Sequence, residues 1–315
     1  MLVSRSYKSL AGVSDKQYER AKEVVATACG VSKGNIILAG GTAELLYNAV
    51  RTLRPRKALI PVPAIKLYEE ACRKNGCEPL LFQTDRSNNF DIDADRLIQS
   101  AADVDMIILG NPQNPTGRII EKPAMNRILD FCQEKGIYLV IDESYADFVA
   151  ADISAVGQVD RYANVIILRS VANYFALSGI GSGYAVSCEG LIGLLEMNGI
   201  PDTVSWFSAE AYEVLLRDAG YIKKTKQWLK SEPKRFFNMV STLGGVFACR
   251  PYANYIFAEL EQIPCATFCE CLEQKGAAVY NCNGISGSNG RYIRLAIKDK
   301  KTNDKFLDIF SRCLL

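Results

Sequence analysis

Between residues 35 and 187, short apolar runs alternate with stretches of helical periodicity. The runs are Ile36-Ile37-Leu38, Ala58-Leu59-Ile60, Leu80-Leu81-Phe82, Met106-Ile107-Ile108-Leu109, Tyr138-Leu139-Val140-Ile141 and Val165-Ile166-Ile167-Leu168. Most are apolar throughout rather than alternating, which predicts strands covered on both faces and an α/β sheet with helices on each side. Ser14 and Gln17 have the spacing of a capping box ahead of a helix over 18–29. A second helix is predicted over 43–53, stopped by Pro55, and a third over 122–135, ended by Gly136. After Gly199-Ile200-Pro201 the pattern changes. A long helical stretch over 203–230 leads to strands near 246–248 and 255–260, a further helix and a closing strand over 292–297. The pattern therefore predicts a large lobe with a mostly parallel sheet over 30–200. A smaller α+β lobe is predicted from 1–29 with 201–315.

Composition narrows the chemistry. The chain has 315 residues, 49% of them hydrophobic, enough for one large core or two unequal ones. Its 37 basic residues balance 35 acidic ones, and no basic tract stands out, so neither a nucleic-acid nor a membrane partner is expected. No apolar run approaches the roughly 18 residues that a membrane span needs. Met1-Leu2-Val3-Ser4-Arg5 does not read as a signal peptide, and a cytoplasmic protein is expected. The absence of histidine excludes Ser-His-Asp triads, Cys-His pairs and histidine-ligated metals. Acid–base chemistry must then fall to Lys, Tyr, Cys, Asp or Glu. The eleven cysteines are scattered and include no CxxC pair; even the cluster Cys265, Cys269 and Cys271 reads as buried or half-buried thiols, and no metal is expected.

Three segments carry more specific information. Asn111-Pro112-Gln113-Asn114-Pro115-Thr116-Gly117 follows one apolar run, and Asp142-Glu143-Ser144-Tyr145-Ala146-Asp147-Phe148 follows another. The third runs from Leu168-Arg169-Ser170 through Asn173 to Gly181-Ser182-Gly183-Tyr184. In this order and spacing the chain resembles the class I/II aminotransferases, pyridoxal-phosphate enzymes of fold type I. Within them it is most similar to histidinol-phosphate aminotransferases and threonine-phosphate decarboxylases. The resemblance implies pyridoxal phosphate as cofactor, a phosphorylated amino acid as substrate and a symmetric homodimer. It also implies roles for single residues. Asp142 would hold the protonated pyridine nitrogen, and Asn114 and Tyr145 would hold the ring hydroxyl. Gly40-Gly41-Thr42-Ala43, a turn opening a helix, would cup the phosphate, with Thr42 and Ser170 as hydroxyl donors. Arg294 would clamp a substrate carboxylate.

The chain departs from the family pattern at the centre of the site. Ungapped alignment between Arg169-Ser170 and Gly183-Tyr184 puts Asn173 where the family has the lysine that bonds to the cofactor. It also puts Gly181 where the family has an arginine on the phosphate. Ile65 stands where an aromatic residue stacks on the ring. The chain is further expected to lack the family's N-terminal arm. A charge-assisted contact contributes ~1.5–3 kcal/mol, and a ring stack ~0.5–1.5 kcal/mol beyond area, so cofactor binding is expected to be weak and non-covalent. Lys66 is the one candidate replacement for the missing lysine. Three readings follow: an enzyme of impaired catalysis acting on a phosphorylated amino acid, an inactive descendant serving as a ligand-binding or dimerisation module, and a phosphate-ester binder using Thr42 and Ser170.

Overall fold

The computed structural model describes residues 15–314. Ser14 of the expected capping box therefore lies outside the described residues. The six apolar runs form strands β1 (Ile36–Ala39), β2 (Lys57–Val62), β3 (Glu78–Gln83), β4 (Met106–Gly110), β5 (Tyr138–Asp142) and β6 (Val165–Ser170). They are joined by β7 (Gly183–Ser187) in one sheet of order β1-β7-β6-β5-β4-β2-β3. The pairs β2–β3, β2–β4, β4–β5 and β5–β6 are parallel; β7 runs antiparallel to both β1 and β6.

Alternation along the strands divides this sheet into two cores. Ile107, Leu109, Leu139, Ile141 and Ile167 pack into one, while Ile108, Val140, Ile166 and Leu168 pack into the other. The second core is completed by α2 (Thr42–Leu53), α3 (Lys66–Lys74) and α7 (Glu189–Met197) through Leu46, Tyr68 and Leu195. The first takes α4 (Ala94–Ser100) and α5 (Lys122–Lys135) through Leu97 and Leu129. Gly136 caps α5 at φ 69°, a left-handed conformation that costs other residues more than glycine.

Two expectations change. The segment 203–230 is not one helix: α8 (Trp206–Leu216) ends at Arg217, and Asp218 caps α9 (Ala219–Ser241) by accepting from Tyr221 N–H. Helix α1 (Asp15–Cys29), expected in the smaller lobe, packs instead into the first core of the large sheet. Its Ala21, Val25 and Ala26 are buried there with Ala209 and Tyr212 of α8. The apolar face of α1 fits that sheet, and chain order alone did not show it.

A second sheet, all antiparallel, has the order β10-β11-β9-β8, formed by β8 (Val246–Ala248), β9 (Tyr255–Leu260), β10 (Tyr280–Asn281) and β11 (Tyr292–Ala296). Phe236 of α9, Phe268 of α10 (Cys265–Gln274) and Phe310 of α11 (Lys300–Leu314) fill its core. Cys271 and Cys313 form a disulfide between α10 and α11, so Cys271 is not the thiol that the sequence suggests. Among the described residues no helix is long and apolar enough to cross a membrane. Nor does any group of three or more Cys, Asp or Glu side chains there suit a metal.

The start of β7 lies directly against the turn before α2. A Cβ at Gly183 would stand 2.5 Å from the Gly41 carbonyl carbon and 2.6 Å from Thr42 N. Gly183→Ala is expected to lower unfolding free energy by about 1–3 kcal/mol through overpacking. Urea denaturation checks this, and an unchanged midpoint would contradict the close approach.

Candidate ligand site at the strand ends

The residues of the motifs meet at the carboxyl ends of the parallel strands, where ligand sites of open α/β sheets lie. Asp142 closes β5 and points to the α2–α3 side. It is 8% exposed, so its charge must be met by donors. Tyr68 of α3 supplies one, its hydroxyl donating to Asp142 Oδ2 at 2.8 Å. Ser144 supplies two to Oδ1, from its backbone N–H at 2.9 Å and from its hydroxyl. Burial first, then the Asp142 charge and the hydrogen bond to it, push the Tyr68 hydroxyl well above the usual phenol range. The proton therefore stays on Tyr68, and Oδ2 keeps a second acceptor position for one further N–H.

Next to this carboxylate stands an aromatic and cationic wall. Tyr145 meets Tyr255 edge to face, with ring centroids 5.0 Å apart. The Arg294 guanidinium lies 4.9 Å from the ring centres of both Tyr255 and Tyr280. Its Nη1 donates to Asn114 Oδ1 at 2.8 Å. The second sheet is tied to the loop after β4 by Tyr255, whose hydroxyl donates to the Gln113 carbonyl at 3.1 Å. Asn114, Asp142, Tyr145 and Arg294 are thus brought to one site by β4, β5 and β11.

Asn173 sits on α6 (Val171–Tyr174), one short turn after β6. Its Nδ2 donates to the Ser144 carbonyl at 3.1 Å, which places the amide beside the Asp142 loop. Ser170 donates its hydroxyl to the Ser182 carbonyl at 3.1 Å. Gly41 is the N-cap of α2, with Thr42 and Ala43 in its first turn. Gly181 has φ +61°, and a Cβ there would lie 2.7 Å from the Gly40 carbonyl oxygen. An arginine at this position would therefore be strained, whatever charge it brought. Ile65 precedes α3, its N–H bonded to the Asn114 carbonyl at 3.1 Å. Lys66 is exposed and directed to the second lobe: a Cβ at Gly284 would lie 3.5 Å from its Nζ.

A cavity of about 600 Å³ lies on the opposite face of the sheet. It is lined by Arg169, Asp147, Lys122, Asp152 and Tyr184 among others. Arg169 and Glu143 follow the alternation that sends Ser170 and Asp142 to the other side. The Arg169 guanidinium is taken up by Glu143 at 2.8 Å and Asp147 at 2.6 Å. Size alone does not make this cavity the ligand site, since the motif residues are gathered elsewhere.

Comparison with known proteins accounts for the motifs and the fold together. The profile "Aminotransferase class I and II" matches residues 12–310. The chain belongs to this family. It is 26% identical to a threonine-phosphate decarboxylase of Salmonella typhimurium over 294 residues, covering 93% of this chain and 80% of the relative. It is 30% identical to a histidinol-phosphate aminotransferase of Chlorobium luteolum over 304 residues, covering 94% and 81%. The crystal structure of the histidinol-phosphate aminotransferase from Clostridium acetobutylicum superimposes with a TM-score of 0.93 at 28% identity, covering 99% of this chain and 93% of that one. The architecture is accordingly fold type I, an α/β fold whose family members depend on pyridoxal phosphate.

Tyr68, Ser144, Tyr255 and Tyr280 were not singled out from the sequence. Tyr68 gives no local signal, because it meets Asp142 across 74 positions of chain. Ser144, two residues after Asp142, could have been read as a side-chain turn donor. Tyr68→Phe keeps the ring but removes one donor to a buried carboxylate. A loss of about 1–3 kcal/mol is expected in urea or thermal unfolding, and full retention of stability would show that Asp142 does not rely on this bond.

Proposed function

We propose that this chain is a non-transaminating member of its family, a ligand-binding, dimer-forming module that holds the cofactor ring weakly and without a covalent bond. The observation that carries the reading is the Asn173 amide bonded to the Ser144 carbonyl, in the segment where the family motif places lysine. An amide is neither nucleophilic nor titratable near neutral pH, so it can neither bond to an aldehyde nor move the proton that transamination requires.

When bound, pyridoxal phosphate supplies a protonated ring that draws electrons from the bond to be broken. The residues fit the ring end of this group. Asp142 offers a free acceptor position to a pyridinium N–H. Asn114 keeps its Nδ2 donor for a ring oxygen, because Arg294 occupies its Oδ1. Tyr145 is a second candidate for that oxygen. The residues do not fit the covalent end, and Ile65 offers no aromatic face to the ring. Arg294, held between two tyrosine rings, is the candidate contact for the anionic group of a ligand. The relatives' names make a phosphorylated amino acid the ligand class to try.

A homodimer is supported by apolar side chains left in the open at and beyond the end of α7, Met197 at 85% and Ile200 at 56% exposure. Static light scattering at micromolar concentration is expected to give twice the chain mass; a monomer would count against the module reading.

Adding pyridoxal phosphate to the purified protein should give no visible band that borohydride bleaches and fixes to the chain. Asn173→Lys should give at most a weak one, since neither the Gly181 backbone nor Ile65 changes with it. A borohydride-stable adduct on the unmodified protein, mapped to Lys66 by peptide mass, would overturn the proposal and make Lys66 a relocated catalytic lysine.

A further inference from the structure

Two cations beside the strand-end site have no anion to answer them. Arg294 is half-buried, and its side chain makes one hydrogen bond, from Nη1 to Asn114 Oδ1. The guanidinium otherwise lies against the rings of Tyr255 and Tyr280, which leaves Nε and Nη2 as spare donors. Lys66 is exposed, and its ammonium has neither a hydrogen bond nor an ion pair among the described residues. Arg294 likewise has no carboxylate partner among them.

Shared neighbours bring the two together. Asn114 takes Arg294 on its side chain and the Ile65 N–H on its carbonyl, at 3.1 Å, and Lys66 is the next residue after Ile65. On the other side Tyr280 pairs with Arg294 between β10 and β11. Gly284, four residues further on, is where Lys66 lies: a Cβ there would stand 3.5 Å from its Nζ. Glycine, at φ +81°, leaves the ammonium uncovered on that side. The segment 280–284 thus runs from one cation to the other. A ligand with one anionic group answers Arg294 alone, whereas a second anionic group further along the ligand answers both.

We infer that Lys66 is a specificity-determining residue, which meets a second anionic group on the side chain of an amino-acid ligand whose carboxylate lies on Arg294. This rests on the proposed reading of Arg294 as the contact for a ligand's anionic group. A lysine ammonium is a compact point charge on a flexible stem, so it serves a phosphate ester or a carboxylate alike. What it selects is the added negative charge. The role is non-covalent and needs no reaction with an aldehyde.

Isothermal titration of the full chain with two pairs of ligands tests this: O-phosphoserine against serine, and glutamate against glutamine. No aldehyde is present, so a covalent role for Lys66 does not enter the measurement. The charged member of at least one pair is expected to bind about five-fold more tightly, the scale of an exposed ion pair. Lys66→Met should bring it down to the neutral member, and Lys66→Arg should restore the difference. The pair that shows the difference identifies the anion that Lys66 meets. Arg294→Gln should weaken both members of that pair alike. Equal affinities within both pairs, or a difference that survives Lys66→Met, would overturn the inference, and a loss of binding in Arg294→Gln would then leave the Arg294 reading standing. Affinities indifferent to Arg294→Gln, or no binding of any of the four, would overturn the inference and the Arg294 reading together.

Discussion

The site depends on how the chain supplies donors to two neighbouring buried carboxylates, Asp142 and Glu143. A strand sends successive side chains to opposite faces, and these two adjacent residues, at and just after the end of β5, find their partners on opposite sides of the sheet. Glu143 is answered by Arg169, by the Ser154 hydroxyl and by the Ala155 N–H. Asp142 is answered by Tyr68 and Ser144. A buried carboxylate left without such donors would cost several kcal/mol. These partners in turn fix the entry into α3, the loop after β5 and the end of β6.

On the proposed reading, in which Asn173 stands at the family's lysine position, that matching bears on why such a site persists. Were the cofactor the only partner of Asp142, the free protein would bury an unpaired charge, and loss of cofactor affinity would weaken the fold. Tyr68 and Ser144 make the carboxylate independent of any ligand. On that reading, the retained motif is compatible with an asparagine at position 173.

Much of the fold was legible because its strands are apolar on both faces, and all six runs read from the sequence became strands of the large sheet. The helix over 122–135 was legible from its stop at Gly136 as well as from its spacing. What escaped depends on distance in the chain. The place of α1 is set by contact with α8 and β1, and the break at Arg217 by a cap from Asp218 within a continuous apolar pattern. In the site, the residues belonging to contiguous motifs were legible. Tyr68, Tyr255 and Tyr280 were not, because each arrives from a separate element and only packing brings it to Asp142 or Arg294.

The substitutions at the site also compensate one another. Asn173 gives a donor to the Ser144 carbonyl, and Ser144 in turn holds Asp142. Gly181 lets its segment descend onto Gly40, and that descent brings the Ser182 carbonyl to the Ser170 hydroxyl. On the proposed reading, these positions make contacts within the chain where the family motif implies contacts to cofactor. Groups coupled in this way do not respond additively to substitution. A lysine restored at position 173 would take a donor from the Ser144 carbonyl, and an arginine at 181 would force φ +61° on a residue with a Cβ and press it into the Gly40 carbonyl. On the proposed reading, backbone geometry at Gly181 separates this site from the family's as much as side-chain identity does.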